Sequence, residues 1–391
     1  MLPSFYQDAL VTLYHGHVLD VLRSLPGDSV HCAVTSPPYW GLRDYNIGSQ
    51  VWGGDSQHCH SWREVVKPAS SGPTGRETLE DGLATQNSSA TRRSIVSNLC
   101  SCGAWLGSLG GEPTPNLYVQ HLVEIFREVR RVLKDDGTVW LNLGDSYAST
   151  PPGNKTRGVS AKSTLHGVNG PSGQYRETLA RSVQTKRSTI SPGLKPKDLV
   201  GIPWRVAFAL QADRWYLRSD IIWAKSNPMP ESVRDRPTSS HEYLFLLSKS
   251  PAYYYDASAI AEPTIHAGRV VKYDGTQKTT GHENRTYPGA KPRDILVGPT
   301  RNRRSVWTIN TQPYKGAHFA TFPEKLVEPC ILAGCPKGGI VLDPFVGAGT
   351  AMLVAKELGR RAIGIDLNEE YLGLAAKRLR QGILAFSPSR A

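Results

Sequence analysis

The turn Asp343-Pro344-Phe345-Val346-Gly347-Ala348-Gly349-Thr350 constrains this chain more than any other segment. It lies between an apolar run, Gly339-Ile340-Val341-Leu342, and a helical stretch from Ala351 to Leu358. A second strand-like run follows, Arg361-Ala362-Ile363-Gly364-Ile365, and an amphipathic helix from about Glu369 to Gln381 closes the segment. Strand, glycine turn, helix and strand in succession predict a mostly parallel, doubly wound α/β sheet. Glycines at such a turn let a ligand reach the backbone and let the helix pack closely on the strand.

The turn also narrows the ligand. No Lys follows Gly349, which argues against a Walker-type phosphate loop. Leu353 stands near the point where the dinucleotide fingerprint needs a third glycine. Asp366 ends the next strand, 17 residues after Gly349. An ionised carboxylate there accepts hydrogen bonds only and suits two ribose hydroxyls. A ligand with a ribose and no phosphate fits, and S-adenosylmethionine is the expected cofactor. The plain alternative is a tight turn with a surface acid.

The rest of the chain repeats the pattern. Residues 11–34 alternate apolar and polar positions and read as a buried strand ending in His31-Cys32-Ala33-Val34. A helix is predicted over 117–133, with Leu122, Ile125, Phe126, Val129 and Val132 on one face. Asp135-Asp136-Gly137 turns the chain into a strand over 138–143. A helix and a strand are expected within 199–224, and another strand over 242–248. Three stretches break the alternation and read as insertions: 52–111, rich in Gly and Ser; 150–197, with nine Lys or Arg; and 264–306, ending in Arg301-Asn302-Arg303-Arg304.

At the end of the first strand comes Thr35-Ser36-Pro37-Pro38-Tyr39. Open α/β sheets bind ligands at the carboxyl ends of their strands. Two prolines stiffen this loop into extended backbone. Ser36 offers a hydroxyl that an amino nitrogen can bond, and Tyr39 offers a face on which an extruded base can stack. A rigid turn with a packed tyrosine is the competing reading.

Charge supports a polyanionic partner. The formal net charge is +12, which favours a phosphate backbone, although a merely basic soluble enzyme has the same balance. The basic stretches at 150–197 and 264–306 would neutralise phosphates, and their Ser, Thr, Asn and Gln could read base edges. No run of apolar residues is long enough for a membrane span, and the N-terminus lacks the regions of a signal peptide, so a cytoplasmic protein is expected. Six cysteines are too sparse for a disulfide scaffold. Within 52–111, Cys59, His60, Cys100 and Cys102 form a candidate structural zinc set, against a bland reading of free thiols in a His-rich loop. Cys32 falls on a strand and reads as core, and Cys330 and Cys335 flank an expected helix end and read as structural.

These motifs, in this order, resemble the permuted, beta-type amino DNA methyltransferases. In that family a Ser-Pro-Pro-Tyr type catalytic motif comes first, a target-recognition region follows, and a Phe-x-Gly-x-Gly cofactor motif comes last. Thr35 to Tyr39 and Asp343 to Thr350 match the first and last. His318 to Leu326 resembles the family's segment that enters a helix and helps hold the methionine part of the cofactor, through Phe319 and Pro323 here. Trp223-x-Lys225-x-Asn227-Pro228 resembles a segment near the flipped base.

The resemblance implies a Rossmann-like methyltransferase fold in circularly permuted order. It implies one catalytic domain over 1–391 carrying the three insertions. It implies Ser36, Pro37, Pro38 and Tyr39 as catalytic residues. It implies Asp343, Phe345, Gly347, Gly349, Thr350 and Asp366 around S-adenosylmethionine. Trp223, Lys225, Arg301, Arg303 and Arg304 are expected at double-stranded DNA. Ser36 at the first position of the motif favours cytosine N4 as the target, with adenine N6 as the alternative. RNA methylation and inactive DNA binding are the other classes weighed. A restriction endonuclease on a separate chain, and a monomer or homodimer, are compatible with all of this.

Overall fold

The computed structural model describes residues 2–41, 48–55, 57–62, 98–148, 193–273, 276–277, 285–286, 293–311 and 322–385. Its contacts divide the chain into two compact units. One comprises residues 1–37, 123–145 and 201–391, and the other comprises 38–122 and 146–200. The stretches 52–111 and 150–197, expected as insertions, fall in the second unit, and 264–306 falls in the first.

The first unit is built on a nine-stranded sheet. Its strands are β1 (Tyr6–Gln7), β2 (Val11–His15), β3 (Val30–Thr35), β6 (Leu133–Leu143), β7 (Tyr216–Ala224), β8 (His241–Ser248), β15 (Val306–Thr308), β16 (Ile340–Asp343) and β17 (Arg361–Asp366). The spatial order is β1-β2-β17-β16-β3-β6-β8-β7-β15. β2, β17, β16, β3 and β6 run parallel, β8 is antiparallel to both neighbours, and β15 is parallel to β7. The expected mostly parallel α/β sheet is therefore present. Between β8 and β15 lie short antiparallel pairs. β9 (Glu262–Pro263) pairs with β14 (Thr300–Arg301), β10 (Val270–Tyr273) with β13 (Arg293–Leu296), and β11 (Thr276–Gln277) with β12 (Arg285–Thr286).

The helices are α1 (Val18–Ser24), α2 (Pro115–Val132), α3 (Ile202–Ala212), α4 (Glu324–Gly334), α5 (Thr350–Glu357) and α6 (Glu369–Ala385). The predicted face of α2 is borne out: Leu122, Ile125, Phe126, Val129 and Val132 have no solvent exposure. Burying each such side chain contributes about 1.5–3 kcal/mol. Cys32, Cys330 and Cys335 are buried in the core with Val11, Leu13, Trp140 and Val341. Burial pushes the Cys32 thiol well above its ordinary range, which suits packing and not nucleophilic chemistry.

One expectation fails. Residues 11–34 are not a single strand, because α1 interrupts them between β2 and β3. Val18, Leu19, Val21 and Leu22 are its buried residues, spaced i, i+1, i+3, i+4. Two turns of helix give too short a window for the 3.6-residue period to stand out from the alternation in β2. Among the described residues, no helix is long and apolar enough to cross a membrane.

The second unit holds a ribbon of β4 (Gln50–Trp52) and β5 (Trp105–Gly107), paired antiparallel with Trp52 opposite Trp105.

Candidate functional site

β3 and β16 are adjacent parallel strands, with Leu342 opposite Ala33. Their carboxyl ends are tied together by a side-chain bond: Thr35 Oγ1 donates to Asp343 Oδ1 at 2.6 Å. The start of the Ser36-Pro37 loop thereby lies beside the start of the glycine turn, although 308 residues separate Thr35 from Asp343. The same Asp343 oxygen accepts the Phe345 N–H at 3.1 Å, so one carboxyl organises both strand ends. Asp343 is 1% exposed. Burial raises its carboxyl to about 7, against the lowering effect of these two donors.

The turn itself is held from its far side. Gly347 N–H donates to Asp366 Oδ2 at 2.8 Å, and Asn368 N–H donates to Asp366 Oδ1 at 2.8 Å. Asp366 closes β17, the neighbour of β16, and burial raises its carboxyl above the ordinary range. Each carboxylate oxygen has two lone pairs, so these bonds leave acceptor capacity for a ligand. Gly349 has φ 79° at the N-cap of α5. A Cβ there would meet the Ala375 Cβ at 2.8 Å, so both the backbone and the packing of α6 require glycine.

Arg378 was not singled out by sequence reasoning. Its guanidinium donates to the Ala348 carbonyl at 2.8 Å, the Thr350 hydroxyl at 3.1 Å and Glu324 at 3.0 Å. It thus ties the glycine turn to the start of α4, where Pro323 is the N-cap. An arginine on the exposed-looking face of an amphipathic helix carries no local sign of this role. Asp145 was missed for the same reason. Its carboxylate accepts the Gly201 and Ile202 N–H groups at 3.0 Å and caps α3.

Of the cofactor set, Asp343, Phe345, Gly347, Gly349, Thr350 and Asp366 gather at the ends of β16 and β17. Pro323 is joined to them through Glu324 and Arg378. Phe319 lies outside the described residues. Of the catalytic set, Ser36 and Pro37 close a stretch of the first unit, and Pro38 and Tyr39 open the second. There the Tyr118 hydroxyl donates to the Pro38 carbonyl at 2.8 Å.

Within the DNA-facing set, Trp223 is corrected by its burial, and the four cations each have a protein partner. Trp223 is 3% exposed and its indole N–H is spent on the Ile309 carbonyl at 2.8 Å. It belongs to the core. Lys225 lies over the Trp223 ring and is paired with Glu242. Arg301 and Arg304 both donate to one oxygen of Glu262, at 2.8 and 2.6 Å, and Arg303 stacks on Trp307 at 4.5 Å. The basic stretch at 150–197 lies outside the described residues except for its last five positions.

The metal set also changes by one member. His60, Cys100 and Cys102 come together as expected, but the fourth position belongs to His58 and not to Cys59. From Gln57 to Trp62 the side chains alternate between exposed and half-buried. His58 and His60 are half-buried and Cys59 is exposed, so the two histidines face the cysteine pair and Cys59 faces out.

Comparison with known proteins gives a consistent picture. A family model described as DNA methylase, that of the N6 and N4 methyltransferases, matches residues 30–377. The Type II methyltransferase M.Cfr9I of Citrobacter freundii is 40% identical over 369 residues, covering 94% of this chain and 87% of its own. The Type II methyltransferase M.XycI of Xanthomonas campestris pv. cyanopsidis is 42% identical over 369 residues, with the same coverage. Among solved structures, PvuII DNA methyltransferase (cytosine-N4-specific) superposes with a TM-score of 0.52 at 15% identity, covering 96% of this chain and 88% of that one. The structural likeness shows the fold, which is the α/β methyltransferase fold.

Proposed function

Because this chain belongs to the N6/N4 DNA methylase family, we propose that it transfers the methyl group of S-adenosylmethionine to N4 of a cytosine flipped out of double-stranded DNA. The observation that carries the reading is the Thr35–Asp343 bond, which sets the Ser36 loop beside the glycine turn. The Type II names of its relatives support a role in a restriction-modification system, with any endonuclease on a separate chain.

The residues present suit the cofactor. The turn from Asp343 to Thr350 contains no cation, and Arg378 beside it is spent on protein acceptors. That donor set suits a ligand without phosphate. Asp366 would accept the ribose hydroxyls with its remaining lone pairs, and Gly347 and Gly349 leave the backbone open to close approach. S-adenosylmethionine supplies the activated methyl group when bound.

The protein's own part is positioning and electrostatics. Ser36 would accept a hydrogen bond from the target amino group, drawing the nitrogen lone pair out of conjugation with the ring. The Pro37-Pro38 pair holds that hydroxyl on rigid backbone. Tyr39 would stack on the extruded base and return part of the cost of flipping, a few kcal/mol. In-line attack of the amino nitrogen on the methyl carbon would break the methyl–sulfur bond, leave a neutral thioether and release one proton from the alkylated nitrogen to water, with no covalent enzyme intermediate.

The test is to incubate the protein with duplex DNA and labelled S-adenosylmethionine, digest the product and identify the modified nucleoside by mass. N4-methylcytosine is expected. N6-methyladenine would overturn the cytosine assignment while leaving the family and the cofactor site standing. Ser36→Ala should lower turnover with little change in DNA or cofactor affinity, because its bond strengthens as the nitrogen becomes tetrahedral. Full turnover in that variant would remove Ser36 from the mechanism.

A further inference from the structure

We propose that His58, His60, Cys100 and Cys102 bind one structural zinc ion that closes the β4–β5 ribbon. Their ligand atoms all lie within 4.8 Å of one another. Cys102 Sγ and His60 Nδ1 are 3.4 Å apart. Zinc–sulfur and zinc–nitrogen bonds of about 2.3 and 2.0–2.1 Å at tetrahedral angles place such a pair about 3.5 Å apart. Two thiolates and two imidazoles form a set that selects zinc among common divalent ions.

The local chain is built for the site. Each side contributes an i, i+2 pair, one following β4 and one preceding β5. On the cysteine side the backbone folds back tightly. Cys100 N–H donates to the Ala104 carbonyl at 2.7 Å, and Gly103, with φ 87°, donates to the Cys100 carbonyl at 3.0 Å.

The ribbon gives the ion a purpose. Residues 53–104 separate β4 from β5 in the chain, and a metal clip offsets the entropy of bringing segments so far apart in sequence together. The pairing of Trp52 with Trp105 just beyond the cluster frames a buried His121, whose ring stacks on both indoles with centroids 5.4 and 5.6 Å away. His121 Nδ1 meets Glu112 at 2.9 Å, and the other Glu112 oxygen accepts the Gly110 N–H at 2.8 Å. Gly110 in turn accepts from the Gly41 N–H at 2.8 Å. A Cβ on Gly110 would press on the Tyr39 carbonyl at 3.0 Å. The ion would anchor the ribbon and, through His121 and Glu112, the turn at Gly110 that lies against the Tyr39 carbonyl. Its existence does not depend on which base is methylated.

The experiment uses the full chain, produced with zinc in the medium and purified without chelator. Plasma mass spectrometry should find about one zinc per chain. Replacement by Co(II) should give the intense visible bands of a tetrahedral site together with thiolate-to-cobalt charge transfer. Cys59→Ser should keep the full metal content, whereas His58→Ala and Cys102→Ser should lose it. Zinc far below one per chain in folded wild-type protein would overturn the proposal, as would octahedral cobalt bands without charge transfer. Loss of metal in Cys59→Ser with retention in His58→Ala would overturn the ligand set. The wild-type spectra and the Cys59→Ser result stand even if Cys102→Ser does not fold.

Discussion

The carboxylates toward the two ends of the sheet do opposite work. On the β17–β16–β3 side, Asp343 and Asp366 are held by hydroxyl and backbone N–H donors and organise the ends of strands. Toward the other end, Glu242 on β8 and Glu262 on β9, in the separate β9–β14 pair, are held by Lys225, Arg301 and Arg304 and absorb positive charge. The first pair, whose carboxyls burial raises, spends its oxygens on the strand ends and the glycine turn and leaves acceptor capacity at Asp366 for a ligand. The second pair offsets charge at Lys225, Arg301 and Arg304, three of the cations that the sequence had suggested for DNA. A basic stretch counts toward phosphate binding only after its internal acids have been subtracted.

The largest expected effect concerns Asp343. Burial raises its carboxyl to about 7, above the ordinary value near 3.8. A raised carboxyl means that the folded state holds a proton more tightly than the unfolded chain. Its stabilising contribution is therefore complete below about pH 4 and is lost as pH rises through about 7. Asp343→Asn removes this titration while keeping an oxygen for Thr35. The stability of wild type relative to this variant should fall by up to a few kcal/mol between about pH 5 and pH 8. Thermal melts of both proteins across that range measure it. A constant difference would mean that Asp343 is ionised throughout.

Next comes Asp366. If its spare lone pairs receive a ribose, Asp366→Ala should weaken S-adenosylmethionine binding by about 1.5–3 kcal/mol, the worth of hydrogen bonds to a charge. Calorimetry on protein that still melts cooperatively gives the answer. Unchanged affinity would reduce Asp366 to a loop organiser holding Gly347 and Asn368.

The smallest effect belongs to Glu262. Glu262→Gln should release Arg301 and Arg304 from neutralisation, tighten DNA binding modestly and steepen the dependence of log K on log salt by up to about 0.9. Fluorescence anisotropy over a salt series would detect it. No change in slope would mean that this cluster lies away from the DNA, leaving the work to other basic residues.

Much of the fold was legible in the sequence. The glycine turn, the face of α2 and the strands around Trp140, Ile222 and Leu246 follow from local periodicity. α1 was not legible, because seven residues carry too little of a helical period beside an alternating strand. Within the site, residue types at strand ends were readable, but their partners were not. Arg378 resembles any solvent-facing arginine until the chain folds it onto Ala348, Thr350 and Glu324.

The sequence by itself determined what depends on near neighbours: the alternation of the main strands and helices, the glycine at position 349 of the turn, and the cysteine pair at i, i+2 spacing. Backbone conformation and side-chain alternation are short-range, so a local reading reaches them. Only the tertiary structure decided which charges remain available, that Trp223 is buried, that His58 and not Cys59 faces the cysteine pair, and that Thr35 meets Asp343. Burial and hydrogen-bond partners depend on residues brought together from distant positions, and the same side chain binds a ligand or sits satisfied in the core according to what folding sets beside it.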